Sequence, residues 1–254
     1  MNFGNISGAI WDFDGVFYSY DGTDPQEFYD LADKLTARAA QFTIPGLDAK
    51  TAFEIAVKSH EKHESPVEGF LALARERQFP EDQVKAYLFN HYQRALFDYT
   101  KRYYPALFDP RPEFVNAFRA NGDLDHAIVS HSSGPFWVRP VLAELGMNQD
   151  IDPEYIFGYE SYDYKSKHIS AKGVSLALTK MGLHPSNAVF VEDTHRNLIR
   201  AKQRYPGLRT VFITDEAEPQ GGFEGVDLVV KDATEFLNHL VYALRPEVEA
   251  QPGP

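Results

Sequence analysis

Five short runs of nearly unbroken apolar residues do most to limit what this chain can fold into. They span residues 8–13, 126–130, 188–191, 209–214 and 227–230, each bounded by polar or turn residues and rich in β-branched or aromatic side chains. A strand with one wet face alternates apolar and polar residues; continuous apolar character belongs to parallel strands covered on both faces. Helical patterns at 134–146, 174–182 and 194–204 follow the second and third runs. A Gly- and acid-rich loop at 216–225 separates the last two runs, and a closing helix is expected at 233–244. The order predicts an α/β fold: a doubly wound, Rossmann-like parallel sheet of five strands with right-handed crossovers.

The gap between the first two runs is far too long for a simple crossover. Residues 18–108 read as helix after helix, at 26–41, 48–61, 66–78 and 80–103, punctuated by Pro45-Gly46, Ser65-Pro66 and Phe79-Pro80. Asp24-Pro25 supplies an N-cap acceptor followed by proline in the first turn, a good helix opening. A crossover of about 90 residues implies an inserted helical domain. The expected organisation is therefore a core of residues 1–17 and 107–245, a helical insert at 18–106, and a flexible tail at 246–254.

Composition removes several function classes. With no Cys among 254 residues, thiolate metal sites, disulfide frameworks and Cys nucleophiles are excluded. Lys and Arg total 25 against 37 Asp and Glu, a formal charge of −12. That balance argues against a nucleic acid polymer or an anionic membrane as partner. No apolar run approaches the ~20 residues that span a bilayer, and no secretory signal is visible at the start, so a cytoplasmic setting is expected. A small phosphorylated ligand stays compatible, because it needs only local positive charge or a metal. Oligomeric state is not legible.

Chemistry-bearing residues gather where the strands end. In Asp12-Phe13-Asp14-Gly15 two carboxylates sit two apart at the end of the first strand, and on an extended chain they share a face. By composition alone such a tetrapeptide arises in about one chain of this length in ten, so by itself it is modest support. The second strand runs into Ser130-His131-Ser132-Ser133-Gly134 just before a helix, where hydroxyls and free N–H groups can hold a phosphate oxygen or simply cap the helix. The third ends in Glu192-Asp193-Thr194, and Asn197, one helical turn on, is placed to orient Asp193. Acids on several strand tips of one sheet can surround one cation, and Mg²⁺ takes oxygen ligands. Between these motifs lies a basic cluster, Lys165, Lys167, His168 and Lys172. Either Lys167 or Lys172 can bring an ammonium to the acids, and the sequence leaves both open.

In this order the motifs resemble the haloacid dehalogenase-like hydrolase superfamily, over roughly residues 2–18 and 107–244, with the helical insert similar to its cap of the first type. The 91–109 segment and the run from Glu192 to Leu198 also resemble the pyrimidine nucleotidase branch. Neither candidate lysine precedes proline, which departs from the common third motif, but the separation of Lys167 from Glu192-Asp193 is similar to the family's spacing, and the resemblance ranks Lys167 above Lys172. The resemblance implies Mg²⁺-dependent hydrolysis of a phosphate monoester, the substrate being a small phosphorylated metabolite such as a nucleotide or a sugar phosphate. Asp12 is then the nucleophile and Asp14 the acid and base; Ser130 and the lysine (Lys167 or Lys172) grip the phosphoryl group. Asp12, the backbone carbonyl of Asp14, Asp193 and Glu192 would hold the metal. Asp14 lowers the expectation of carbon–halogen cleavage, because a halide needs no proton. A phosphomutase, a non-catalytic binder on the same scaffold and a phosphate-accepting signalling domain are the alternatives.

Overall fold

The computed structural model describes residues 3, 5–20, 24–217 and 219–244. The segment expected to form a flexible tail, 246–254, lies outside them.

Six parallel strands run in the order β3-β2-β1-β4-β5-β6. They are β1 (Gly8–Trp11), β2 (Asp125–Val129), β3 (Ile156–Phe157), β4 (Ala188–Glu192), β5 (Arg209–Ile213) and β6 (Leu228–Val230). All five expected strands are present. The sixth, β3, is a two-residue edge strand beside Ile128 and Val129. It is too short to carry a hydrophobic period, which is why no strand is expected there. Strand β1 sits at the centre, and every one of its residues is buried, as its unbroken apolar character requires.

Between β1 and β2 lie α1 (Pro25–Thr43), α2 (Ala49–His63), α3 (Glu68–Glu76), the short α4 (Glu81–Gln83), a π-helical stretch (Val84–Phe89), α5 (Asn90–Tyr103), a 3-10 turn (Pro105–Phe108) and α6 (Pro112–Ala120). The expected cap opens α1: the Asp24 side chain accepts from the Gln26 N–H at 2.9 Å. Asp48 does the same for α2, accepting from the Thr51 N–H at 3.0 Å. Helices α1, α2, α3 and α5 pack on one another as the insert, whereas α6 packs against α10 (Ala233–Leu244) beside the sheet. The stretch expected as one helix at 80–103 is helical throughout but widens into a π turn in its middle.

After β2 comes a second π turn, Gly134–Val138, which runs into α7 (Arg139–Glu144). Then follow α8 (Lys172–Met181), packed chiefly on β2, and α9 (His195–Arg204), packed chiefly on β5. No helix among the described residues is long and apolar enough to cross a membrane.

Strand register positions the site. Trp11 pairs with Ile128 on one side and Val191 on the other, so the residues just beyond these three strand ends emerge at one edge. The chain leaves β1 towards β2 on one side, while β4 lies on the other. That makes this edge the topological switch point, where open α/β sheets bind their ligands.

Candidate active site

Strand β1 ends one residue before Asp12, and the extended form does not continue to Asp14 as expected. The Phe13 N–H donates to Asp12 Oδ1 at 2.7 Å, and Phe13 O accepts from the Val16 and Phe17 N–H groups at 3.2 and 3.0 Å. The chain therefore turns, with Gly15 at φ +79°. A Cβ there would lie 2.0 Å from Asp193 Oδ2. Glycine thus serves two purposes: it admits a left-handed backbone and leaves room for a carboxylate from the neighbouring strand end.

Three carboxylates meet at this edge. Ligand oxygens of Asp12, Glu192 and Asp193 all lie within 4.8 Å of one another. Asp12 is 6% exposed, Glu192 0% and Lys167 4%. The Lys167 Nζ stands 2.7 Å from Asp12 Oδ1 and 2.7 Å from Glu192 Oε2. Burial opposes the charge on Lys167, but Asp12 and Glu192 outweigh it and hold the pKa above its ordinary value. Glu192 is pushed well up by burial and by the Asp12 charge, against the pull of Lys167. Asp193 is pushed up to about 7 by burial and by Asp12. One ammonium among three carboxylates leaves surplus negative charge.

Asp14 points elsewhere. Its Oδ1 accepts from the Tyr18 hydroxyl at 2.7 Å and the Trp137 indole N–H at 2.6 Å. Its Oδ2 accepts from the Ser130 and Ser132 hydroxyls at 3.0 and 2.8 Å. Burial, then the charge on Asp12, raises its pKa, and the Tyr18, Ser132 and Trp137 donors partly offset this. Trp137 rides on the π turn after β2, a feature common at functional sites. Ser133 caps that turn, its hydroxyl accepting from the Phe136 N–H at 3.4 Å. The capping reading of the serine run is met at Ser133, while the Ser130 and Ser132 hydroxyls donate to Asp14.

The structure separates the two lysines. Lys167 reaches Asp12 and Glu192; Lys172, at the start of α8, lies on the surface paired with Asp163. Five residues of loop and first helical turn carry Lys172 away from the strand ends. Asn197 also departs from expectation. It is buried, but its Nδ2 donates to Glu64 Oε2 at 3.1 Å, because a carboxylate from the insert stands where spacing within one helix pointed to Asp193.

Several residues that the sequence reading left unassigned complete the site. His131 Nε2 accepts from the Lys167 backbone N–H at 2.9 Å and so ties the β2 loop to the Lys167 loop. Burial, then the Lys167 charge, depresses its pKa well below the ordinary value, which keeps the ring neutral and able to accept. Tyr162 anchors the same loop, donating to Ser130 O at 2.6 Å. From the insert, Glu68 accepts from the Ser166 N–H at 2.9 Å and the Ser166 hydroxyl at 2.7 Å. Glu64, at φ 59° just beyond α2, pairs with Arg196. A cavity of about 410 Å³ lies between insert and core, with Asp12, Asp14, Ser132, His131 and Asp193 along its core side.

An acidic centre at the switch point of a parallel sheet, under a helical insertion after the first strand, defines an α/β enzyme scaffold of a particular kind. The chain belongs to the haloacid dehalogenase-like hydrolases, whose family model matches residues 6–203. The fold is shared with CbbY from Rhodobacter sphaeroides in complex with phosphate, at a TM-score of 0.57 and 18% identity over 91% of this chain and 96% of that one. It is also shared with the β-phosphoglucomutase pgmB from Clostridium difficile (0.55, 16%, covering 96% and 99%). A third is the HAD phosphatase from Thermococcus onnurineus (0.54, 15%, covering 97% and 99%). No curated protein matches the chain.

Proposed function

We infer that this hydrolase is a phosphatase: it cleaves a small phosphorylated metabolite by forming an aspartyl-phosphate on Asp12, with Mg²⁺ as cofactor. The observation that carries the reading is the pairing of two acids in different environments at one strand end. Asp12 is held by the Phe13 N–H and Lys167, both on Oδ1. Asp14 is held by four donors with its pKa raised. Carboxylates whose surroundings differ in this way divide the roles of nucleophile and acid.

The donor set suits the metal. Asp12, Glu192 and Asp193 offer hard oxygen ligands, the centre has surplus negative charge, and Gly15 leaves space for the Asp193 carboxylate. In this reading Asp12, Asp193 and the Asp14 carbonyl hold the ion, with Glu192 assisting. Once bound, Mg²⁺ supplies positive charge that offsets repulsion between carboxylate and phosphate and stabilises the transition state.

Asp12 Oδ2, which neither the Phe13 N–H nor Lys167 holds, attacks phosphorus as the bond to the leaving oxygen breaks. Asp14 passes its proton to that oxygen, so the alcohol leaves neutral. Asp14, now a carboxylate, takes a proton from the water that attacks the acyl phosphate. Inorganic phosphate departs and Asp12 is restored. Lys167, kept charged by its two partners, stops Asp12 and Glu192 from repelling each other. The Ser130 and Ser132 hydroxyls orient Asp14, and in this reading Ser132, on the cavity wall, turns its hydroxyl to a phosphoryl oxygen when substrate binds.

The test is hydrolysis of p-nitrophenyl phosphate with and without Mg²⁺. Phosphate release that needs the metal and disappears in a folded Asp12→Asn protein is expected. Undiminished turnover by that variant would overturn the reading.

A further inference from the structure

The insert side of the cleft has an unusual charge pattern for an enzyme that receives an anion. Asp30 and Asp33 of α1, Glu61 of α2 and Glu64 beyond it all line the cavity. Among the described lining residues none is Lys or Arg. The two cations close by are already committed: Lys167 to Asp12 and Glu192, Arg196 to Glu64. Asp33 is buried and pairs with His60 Nδ1 at 2.9 Å, so the nearest imidazole on this side also serves a carboxylate.

A second observation, independent of the acids, concerns hydrogen bonding. Asn197 lines the same cavity at 1% exposure, and its side-chain oxygen has no hydrogen-bond partner. A buried acceptor of this kind is satisfied by a donor arriving with a ligand. The third observation is the aromatic wall. Tyr29, 38% exposed, stands over His60 with ring centroids 5.1 Å apart and lies 6.0 Å from the Tyr20 ring. Both tyrosines line the cavity. Aromatic faces beside carboxylates are the surroundings that hold organic ammonium groups.

Resting on the phosphatase reading, we propose that the substrate is a phosphorylated amino alcohol. Its phosphoryl group goes to Asp12 and its ammonium to the insert pocket formed by Asp30, Glu61, Tyr29 and Tyr20. A leaving group carrying a second phosphate or a carboxylate meets Asp30 and Glu61, which no cation of the lining pairs, and no unpaired cation, and is rejected. A positive leaving group is attracted, and its N–H or N–CH₃ groups face acceptors and rings.

The experiment compares kcat/KM for phosphocholine, for 3,3-dimethylbutyl phosphate, which has the same shape without the charge, and for the anionic phosphoglycolate. p-Nitrophenyl phosphate is the control. At low salt phosphocholine is expected to exceed its neutral isostere at least 10-fold and phosphoglycolate by more. In the Asp30→Asn/Glu61→Gln protein the phosphocholine-to-isostere ratio is expected to fall towards one. Both changes are isosteric, one at half-buried Asp30 and one at exposed Glu61, so the fold is retained. Turnover of p-nitrophenyl phosphate with no preference for phosphocholine, or with a preference for phosphoglycolate, overturns the substrate class and leaves the phosphatase reading standing. Failure to hydrolyse any of the four with Mg²⁺ present overturns both.

Discussion

Gly15→Ala is the sharpest structural perturbation of this site. The backbone there has φ +79°, and an added Cβ would sit 2.0 Å from Asp193 Oδ2, inside any real contact. The left-handed conformation alone costs roughly 1–2 kcal/mol for an L side chain. Ordinary contact begins near 3.4 Å, so the Asp193 carboxylate must retreat by roughly 1 Å or more, a misplacement that costs about 100-fold in rate. Gly46→Ala separates the two effects. It has φ +70° with nothing within 4 Å of the added Cβ, and it lies between α1 and α2, away from the acids. Both variants should lose stability, by about 3–6 °C in Tm for a chain of this size. Only Gly15→Ala should lose kcat, about 100-fold, and need more Mg²⁺ for half-maximal activity. Tm by calorimetry and a Mg²⁺ titration of p-nitrophenyl phosphate turnover measure both. Full activity and unchanged Mg²⁺ demand in Gly15→Ala, or equal inactivation by Gly46→Ala, would refute the reasoning.

Two further outcomes follow from the geometry. Lys167→Met leaves two buried carboxylates without their ammonium, costs about 3–5 kcal/mol in denaturant unfolding and abolishes turnover; Lys172→Met breaks an exposed pair and costs under about 1 kcal/mol. Away from the site, His126 Nδ1 accepts from the Trp11 indole at 3.1 Å and its Nε2 donates to Asn121 O, a neutral ring. Its pKa is lowered to about 4, chiefly by burial. Because the folded value is depressed below the unfolded one near 6.5, the contribution is complete above about pH 6.5. It is lost as pH falls towards 4, up to about 3 kcal/mol. A His126→Gln protein should show a flatter acid limb in urea unfolding, and an unchanged slope would contradict the assignment.

The parts of this fold that were readable share a physical cause. A strand buried on both faces must be apolar at every position, so β1, β4 and β5 announce themselves in Ala9-Ile10-Trp11, Val189-Phe190-Val191 and Val211-Phe212-Ile213. Asp12, Glu192 and Asp193 were legible as a set, because acids at the ends of two strands of one parallel sheet meet at one edge, although each alone reads as an ordinary turn acid. Elements without a sustained period were not readable. Ile156–Phe157 is only two residues, and the π turns at Val84–Phe89 and Gly134–Val138 break the 3.6-residue repeat. Helix α6, 9 residues long, is too short for its repeat to stand out, although Pro112 opens it and Phe114, Val115 and Phe118 share a face. The choice between Lys167 and Lys172 depended on a loop with no regular pattern. Glu64, Glu68 and His131 act through contacts dozens of residues away in sequence, as in Glu64 with Arg196 and His131 with Lys167. Spacing within one element cannot show such partners, and for Asn197 it suggested the wrong one.

The central claim is a covalent bond from Asp12 to phosphorus. Quenching the enzyme during turnover of p-nitrophenyl phosphate with Mg²⁺, trapping the acyl phosphate with hydroxylamine and mapping peptides by mass tests it directly. A hydroxamate at Asp12, absent without substrate, is the predicted result. Trapping at a different residue, or an unmodified Asp12 in protein that is turning over and has accumulated intermediate elsewhere, would contradict it.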